Sequence, residues 1–292
     1  MRRLAITLCT LLALAGCSTE IDRSISFVDG PRILAVRAEP AESLPDGTVI
    51  YSALAVTSTG PKIDAPIDWS FCTSPALPGE DGSVSSECVV AAAASVAIGN
   101  DVALGTPADA CRRFGPLGMP TKSGKAPTQP PAPDASGGYS QPVRLVWNAT
   151  LTFAFERLTC APVGISLDLA QAYRNARAPN LNPQLLPASD LGVATAGSAV
   201  SVSAAWTPES RDSYLTVDVQ QGVLMTNTEK LWLAWFVTGG TLAHDFAVAE
   251  VGETSTTNEW RLPDQSGTYY LWTVLHDSRG GVDFSEAAVV VP

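Results

Sequence analysis

The 292-residue sequence holds little of what surface chemistry usually draws on. It has two histidines, and charged residues make up 16% of it, against about a quarter in an average soluble domain. Only four lysines (Lys62, Lys122, Lys125 and Lys230) and a net charge of −11 argue against nucleic acid as a partner, because a phosphate backbone is bound by a basic face. Gly-x-Ser-x-Gly, His-Glu-x-x-His and Gly-x-Gly-x-x-Gly are all absent, which removes the common nucleophile, zinc and dinucleotide signatures. The stretch from Gly118 to Lys125 imitates a phosphate-binding loop. It has five residues between its glycines where four are needed, and Ala126 follows the lysine in place of Ser or Thr. No cofactor, metal or catalytic residue is expected.

What is abundant is punctuation. Twenty-three glycines and 22 prolines make turns frequent and long helices unfavourable. No apolar run reaches the ~20 residues that cross a bilayer as a helix. The chain nonetheless opens with an export signal: Arg2 and Arg3, then eleven apolar-rich residues from Leu4 to Leu14, the proportions of a signal peptide. The segment Leu14-Ala15-Gly16-Cys17 resembles the lipobox of bacterial lipoproteins. That resemblance implies a diacylglyceryl group on the Cys17 thiol, cleavage before Cys17, and acylation of the new amino terminus. Several acyl chains at ~0.8 kcal/mol per buried CH₂ give stable anchoring. Ser18 in place of aspartate implies, by the same resemblance, the outer membrane. Loss of residues 1–16 takes Arg2 and Arg3 with it, so the net charge moves from −11 to −13. Residues 17–30 then form a lipidated tether.

Past the tether, short β-rich runs alternate with Gly, Pro, Asp and Ser. In the first half, 31–165, they fall at 33–38, 48–56, 67–72 and 143–159, the last read as one long or bent strand with Leu151, Phe153 and Phe155 on its buried side. A proline-rich excursion occupies 115–142. The only helical candidate is 167–177, with Ser166 as its N-cap and Pro179 as its stop, within a connecting segment 166–197. Seven further runs follow: 199–206, 213–219, 230–238, 242–251, 256–261, 268–276 and 283–291. That count over about a hundred residues is that of an antiparallel sandwich. The expected fold class is all-β, two β-sandwich domains joined by one short helix.

Within 198–292, Trp260 to Pro263, then Gly267 to Val274, then Asp277 resembles the end of bacterial immunoglobulin-like and PKD-like modules. The resemblance puts Tyr269 at the tyrosine-corner position and Trp235 at the core tryptophan of strand C. Leu271 stands where antibody domains carry a disulfide cysteine. The first half resembles this pattern more loosely, and the whole chain resembles the envelope lipoproteins abundant in myxobacteria and their relatives, a group with no activity to carry over.

Cys72, Cys88, Cys111 and Cys160 all lie in the first half. In an exported chain an even number predicts disulfides. Of the three possible pairings, Cys72–Cys88 with Cys111–Cys160 is favoured. A zinc site is the sharper alternative, but no Cys-x-x-Cys knuckle exists. His244-Asp245 and His276-Asp277 invite a metal or acid–base reading, yet lack a third ligand at helical spacing. Asp277, before Ser-Arg-Gly-Gly, suits backbone N–H acceptance in a turn. Calcium at Glu80/Asp81 or Asp277/Asp283 has no ligand-loop spacing to support it.

Period two along 231–237 puts Leu231, Leu233, Trp235 and Val237 inward and Trp232 and Phe236 outward; the same rule puts Tyr270 and Trp272 outward. These four are the candidate interface patch, to be covered by the first domain or the 167–190 segment, by an envelope protein, or by a glycan. The functional expectation is a membrane-anchored, noncatalytic binding or structural module of the cell envelope. The alternatives are a carbohydrate-binding or adhesion protein using exposed aromatics, and an envelope hydrolase or accessory subunit built on clustered acids.

Overall fold

A computed structural model describes residues 25–74, 84–90, 94–114, 138–162 and 165–292. The first sandwich contains β1 (Arg32–Glu39), β2 (Glu42–Ser43), β3 (Thr48–Thr57), β4 (Gly60–Pro61), β5 (Asp68–Phe71), α1 (Ser86–Val90), β6 (Ala97–Ile98), β7 (Asp101–Gly105), α2 (Ala110–Phe114), β8 (Gly138–Trp147) and β9 (Thr150–Thr159). A linker helix α3 (Leu167–Ala176) follows. The second sandwich contains β10 (Ala199–Ala205), β11 (Ser213–Asp218), β12 (Val223–Thr228), β13 (Leu231–Val237), β14 (Thr241–Leu242), β15 (Phe246–Ala249), β16 (Ser255–Arg261), β17 (Gly267–Asp277) and β18 (Val282–Val291).

The two sandwiches share one pairing scheme. In the first, β3 pairs antiparallel with β1 and β7, while the facing sheet runs β2-β9-β8-β5-β6, with β2 parallel to β9. In the second, β10 pairs with β16, and the facing sheet runs β15-β13-β17-β18, with Val193 bridging Val290 in parallel. An antiparallel bridge from Leu185 to Trp206 supplies what β1 supplies in the first. A parallel first strand on the last strand, and a middle strand flanked by its hairpin partner and the penultimate strand, is the immunoglobulin-like arrangement. The second sandwich adds the β11–β12 hairpin, which packs against α3.

Alternation explains the cores. The β13 sequence LWLAWFV is buried at every odd position, so Leu231, Leu233, Trp235 and Val237 join Val202, Trp206, Trp260, Leu271, Leu275 and Val289 between the second pair of sheets. The first core gathers Val49, Tyr51, Ile67, Trp69, Leu104, Val143 and Leu145. Trp69 and Trp235 occupy matching middle strands, and both are fully buried. Burying such a side chain contributes about 1.5–3 kcal/mol. The Tyr269 hydroxyl donates to the Gln265 carbonyl at 3.1 Å, the backward bond of a tyrosine corner. Helix α3 starts where Ser166 Oγ accepts from the Leu169 N–H at 3.2 Å.

The strand readings differ from the structure in several places: β8 begins at Gly138, inside the segment read as a proline-rich excursion, and β7 and β12 fall outside the runs read as strands. The run 143–159 is a hairpin whose turn uses Asn148 and Ala149 at φ 51° and 62°; without a glycine the turn is hidden among β-formers. Its buried side is also reversed over the second strand, where Glu156 and Leu158 are buried and Phe155 is exposed. Phe153 and Phe155 instead line a junction groove with Ile33, Val36, His276 and Val282. The run 242–251 is split between sheets as β14 and β15. Two single-turn helices, α1 and α2, accompany the linker helix; they carry Cys88 and Cys111.

Candidate functional site

Outward-facing aromatic side chains and buried charges come together where the two sandwiches meet. The outer face of the β13–β17–β18 sheet presents Trp272, Val274 and Val282, with Phe236, Tyr270 and Phe284 beside them. Against them pack Val28, Ala35, Leu54 and Val56 of the first sandwich and its lead-in. Gly60, at φ 125°, lets the β3–β4 hairpin ride over the Tyr270 ring; a Cβ there would lie 2.8 Å from Tyr270 Cζ. The Tyr270 and Trp272 rings stack at 5.8 Å. Of the four aromatic side chains read as outward-facing, these two and Phe236 are therefore covered by the chain itself. Trp232 stands at the other end of the same face, stacked on His276 at 5.4 Å and 37% exposed.

Beside this apolar seam is a buried ionic cluster that sequence reading missed. Glu42 on β2 accepts from Arg177 Nη2 at 2.7 Å, Arg279 Nη2 at 2.8 Å, Thr159 Oγ1 at 2.9 Å and the Asn180 N–H at 2.8 Å. Arg157 Nε lies 3.5 Å from the same carboxylate. Arg279 also reaches Glu229 at 3.5 Å and lies 4.9 Å over the Tyr214 ring. One carboxylate thus ties the first sandwich, the linker and the β17–β18 turn together. Asp277 accepts from the Arg279 and Gly281 N–H groups at 2.7 and 2.9 Å and from Asn180 Nδ2 at 3.1 Å, acting as a turn acid. The missed signal is the Glu-Arg pair inside the β-rich FERLT run; charge in a chain so poor in it marks a place where burial has been compensated.

Burial governs the electrostatics. It pushes the Glu229 carboxyl up to about 8, with the neighbouring Asp277 charge adding to the effect. Burial, then the Glu42 charge, does the same to Glu156, also to about 8. Asp277 is raised by burial, and His276 is pushed down to about 4 by burial. Both Glu42 oxygens are occupied by the donors named above, so this carboxylate holds surfaces together.

Cys72 is bonded to Cys88, and Cys111 to Cys160, each pair with Cα atoms 5.5 Å apart. The second bridge sits in a small satellite core with Ala110, Tyr139 and Leu158. His244 and Asp245 are spent locally: the His244 N–H donates to Asn258 Oδ1 at 3.2 Å, and Asp245 Oδ1 accepts from Ser26 Oγ at 2.6 Å. Asp283 accepts from the Leu185 N–H at 2.8 Å and from Arg37 at 3.1 Å. Among the described residues no group of three or more His, Cys, Asp or Glu could hold a metal ion, and no helix is long and apolar enough to cross a membrane. Cys17, Glu80, Asp81 and most of the proline-rich 115–142 segment lie outside the described residues.

No protein-family model matches the chain, and no curated protein matches it. Among solved structures it is similar to the D00-D0 domain of Intimin, at 11% identity over 90% of this chain and 98% of that one, with a TM-score of 0.25. It is also similar to the fibronectin(III)-like modules of Clostridium thermocellum CbhA, at 7% identity over 88% and 94% of the two chains, with a TM-score of 0.24. The adhesin InvE of Yersinia pseudotuberculosis matches at 10% identity over 87% and 58%, again with a TM-score of 0.24. At such scores the fold assignment stands on the strand pairing above and takes nothing from these neighbours.

Proposed function

We propose that the chain is a lipid-anchored, noncatalytic binding or structural module of a bacterial cell envelope, its two immunoglobulin-like sandwiches working as one rigid unit. The anchoring half of the reading rests on the Leu14-Ala15-Gly16-Cys17 sequence behind an export leader. The rigid-unit half rests on one observation: the Glu42 carboxylate is shared by arginines of the linker and of the second sandwich. A flexible pair of domains would not bury that charge at its junction. A sheet face sealed inside the molecule removes Phe236, Tyr270 and Trp272 as a glycan platform, which weighs against carbohydrate binding through those side chains.

The test is membrane fractionation of the native bacterium expressing wild type or Cys17→Ser, with a palmitate analogue as label. Wild type is expected in the membrane fraction carrying label; Cys17→Ser is expected to lose the label and retain its leader. Equal labelling of both forms would overturn the anchoring. Crosslinking followed by co-purification then identifies what the module holds.

A further inference from the structure

We propose that the β13–β15 corner of the second sandwich, formed by Trp232, Phe246 and Val248 with Ile25 beside it, is a membrane-contact surface that lies against the bilayer holding the anchor. This rests on the lipidation of Cys17 proposed above. Although the tether precedes the first sandwich in sequence, its described end docks on the second. Val28 N–H donates to the Val237 carbonyl and Val237 N–H to the Ser26 carbonyl, both at 2.9 Å, so residues 26–28 run parallel to β13. They occupy the edge of β13 that β15 leaves free, since the Trp235 N–H on that same edge donates to the Asp245 carbonyl. Ser26 Oγ fixes the junction by donating to Asp245 Oδ1 at 2.6 Å.

Reach then decides the orientation. Cys17 lies eight residues before Ile25, so even fully extended the chain between them spans only ~26–29 Å. Ile25 is held within that distance of the lipid surface, and Asp245, bonded to the adjacent Ser26, with its neighbour Phe246, is tied close beside it. The side chains displayed there are apolar: Ile25, Phe246 and Val248 are exposed, and Trp232 lies directly across from Val248 and His276 in register. The corner continues the face that the first sandwich covers further along, at Phe236 and Trp272. Exposed apolar surface with a half-exposed tryptophan suits the interfacial zone of a bilayer, where an indole keeps its apolar body in and its N–H wet. A net charge of −13 without the leader leaves burial, and not attraction to anionic headgroups, as the force of contact.

Tryptophan emission reads this contact. Of the seven tryptophans, Trp232 is exposed and the other six are buried. The mature chain from Cys17 is coupled through that thiol to a maleimide phospholipid, in phosphatidylethanolamine and phosphatidylglycerol vesicles doped with a dibrominated phosphatidylcholine. Bromine is expected to quench part of the wild-type emission, none of the Trp232→Phe emission, and almost none in Phe246→Asp/Val248→Asp, with circular dichroism unchanged. Absence of quenching, or equal quenching in Trp232→Phe, overturns the surface; so does a dimer in sedimentation that buries the corner. Because the anchor is supplied chemically, the two readings fail separately. Mass measurement of Cys17 from native membranes decides the lipidation, and quenching decides the face.

Discussion

The two sandwiches repeat one strand scheme but are held together differently. The first carries both disulfides, and neither crosses its main core: each ties a strand end to a one-turn helix, Cys72 to Cys88 on α1 and Cys160 to Cys111 on α2. The second has no cysteine and fills its centre with Trp206, Trp235 and Trp260; the Trp206 indole N–H donates to the Glu253 carbonyl and that of Trp260 to the Gly239 carbonyl. Where long excursions interrupt a small sandwich, covalent staples hold them; where the loops are short, tryptophan packing suffices.

Substitutions at the matching middle-strand tryptophans probe this contrast most strongly. Trp69→Ala and Trp235→Ala are each expected to cost about 3–5 kcal/mol in urea unfolding followed by circular dichroism. Because the seam couples the domains, wild type is expected to unfold in one transition by calorimetry; two well-separated transitions would break the rigid-unit reading.

Glu42→Ala comes next, at about 3 kcal/mol or more, since it strands buried arginines without their carboxylate. In that variant the single transition is expected to split into two. Opening the disulfides by reduction is expected to cost about 2–4 kcal/mol, confined to the first sandwich, with amide exchange in 198–292 little changed.

The smallest expected effect is on pH dependence, and it treats the two domains alike. Glu156 in the first and Glu229 in the second are both pushed up to about 8 by burial. A carboxyl raised in the fold contributes stability below its unfolded value of about 4.3, and that contribution is lost as pH rises through the folded value. The melting temperature is therefore expected to fall between about pH 5 and pH 9, with Glu156→Gln and Glu229→Gln each flattening the slope. His276, pushed down to about 4, acts with the opposite sign, losing its contribution as pH falls from about 6.5, so below about pH 6.5 it partly offsets the carboxyl slope, which stands alone above that pH.

Much of the second sandwich was legible because its strands alternate cleanly, as in LWLAWFV, where every odd residue is buried. The β8–β9 turn was not, because Asn148 and Ala149 reach positive φ without glycine. Nor was the buried side of β9, because Glu156 and Leu158 are buried while Phe155, on the face that alternation of aromatics assigns inward, is exposed. Trp272 faces outward from its own sandwich, yet it is fully buried, since a neighbouring domain closes over it.

Local sequence thus determined what needs only neighbours along the chain: the sheet-forming runs, the Ser166 cap and the inward tryptophans, all fixed by period, size and turn chemistry. Tertiary structure alone decided which surfaces stay in water. Glu42 meets Arg279 across 237 positions, and Ser26 meets Asp245 across 219. Partnerships at that separation leave no periodic trace, because they depend on how two finished sheets are brought together and not on how either one is built.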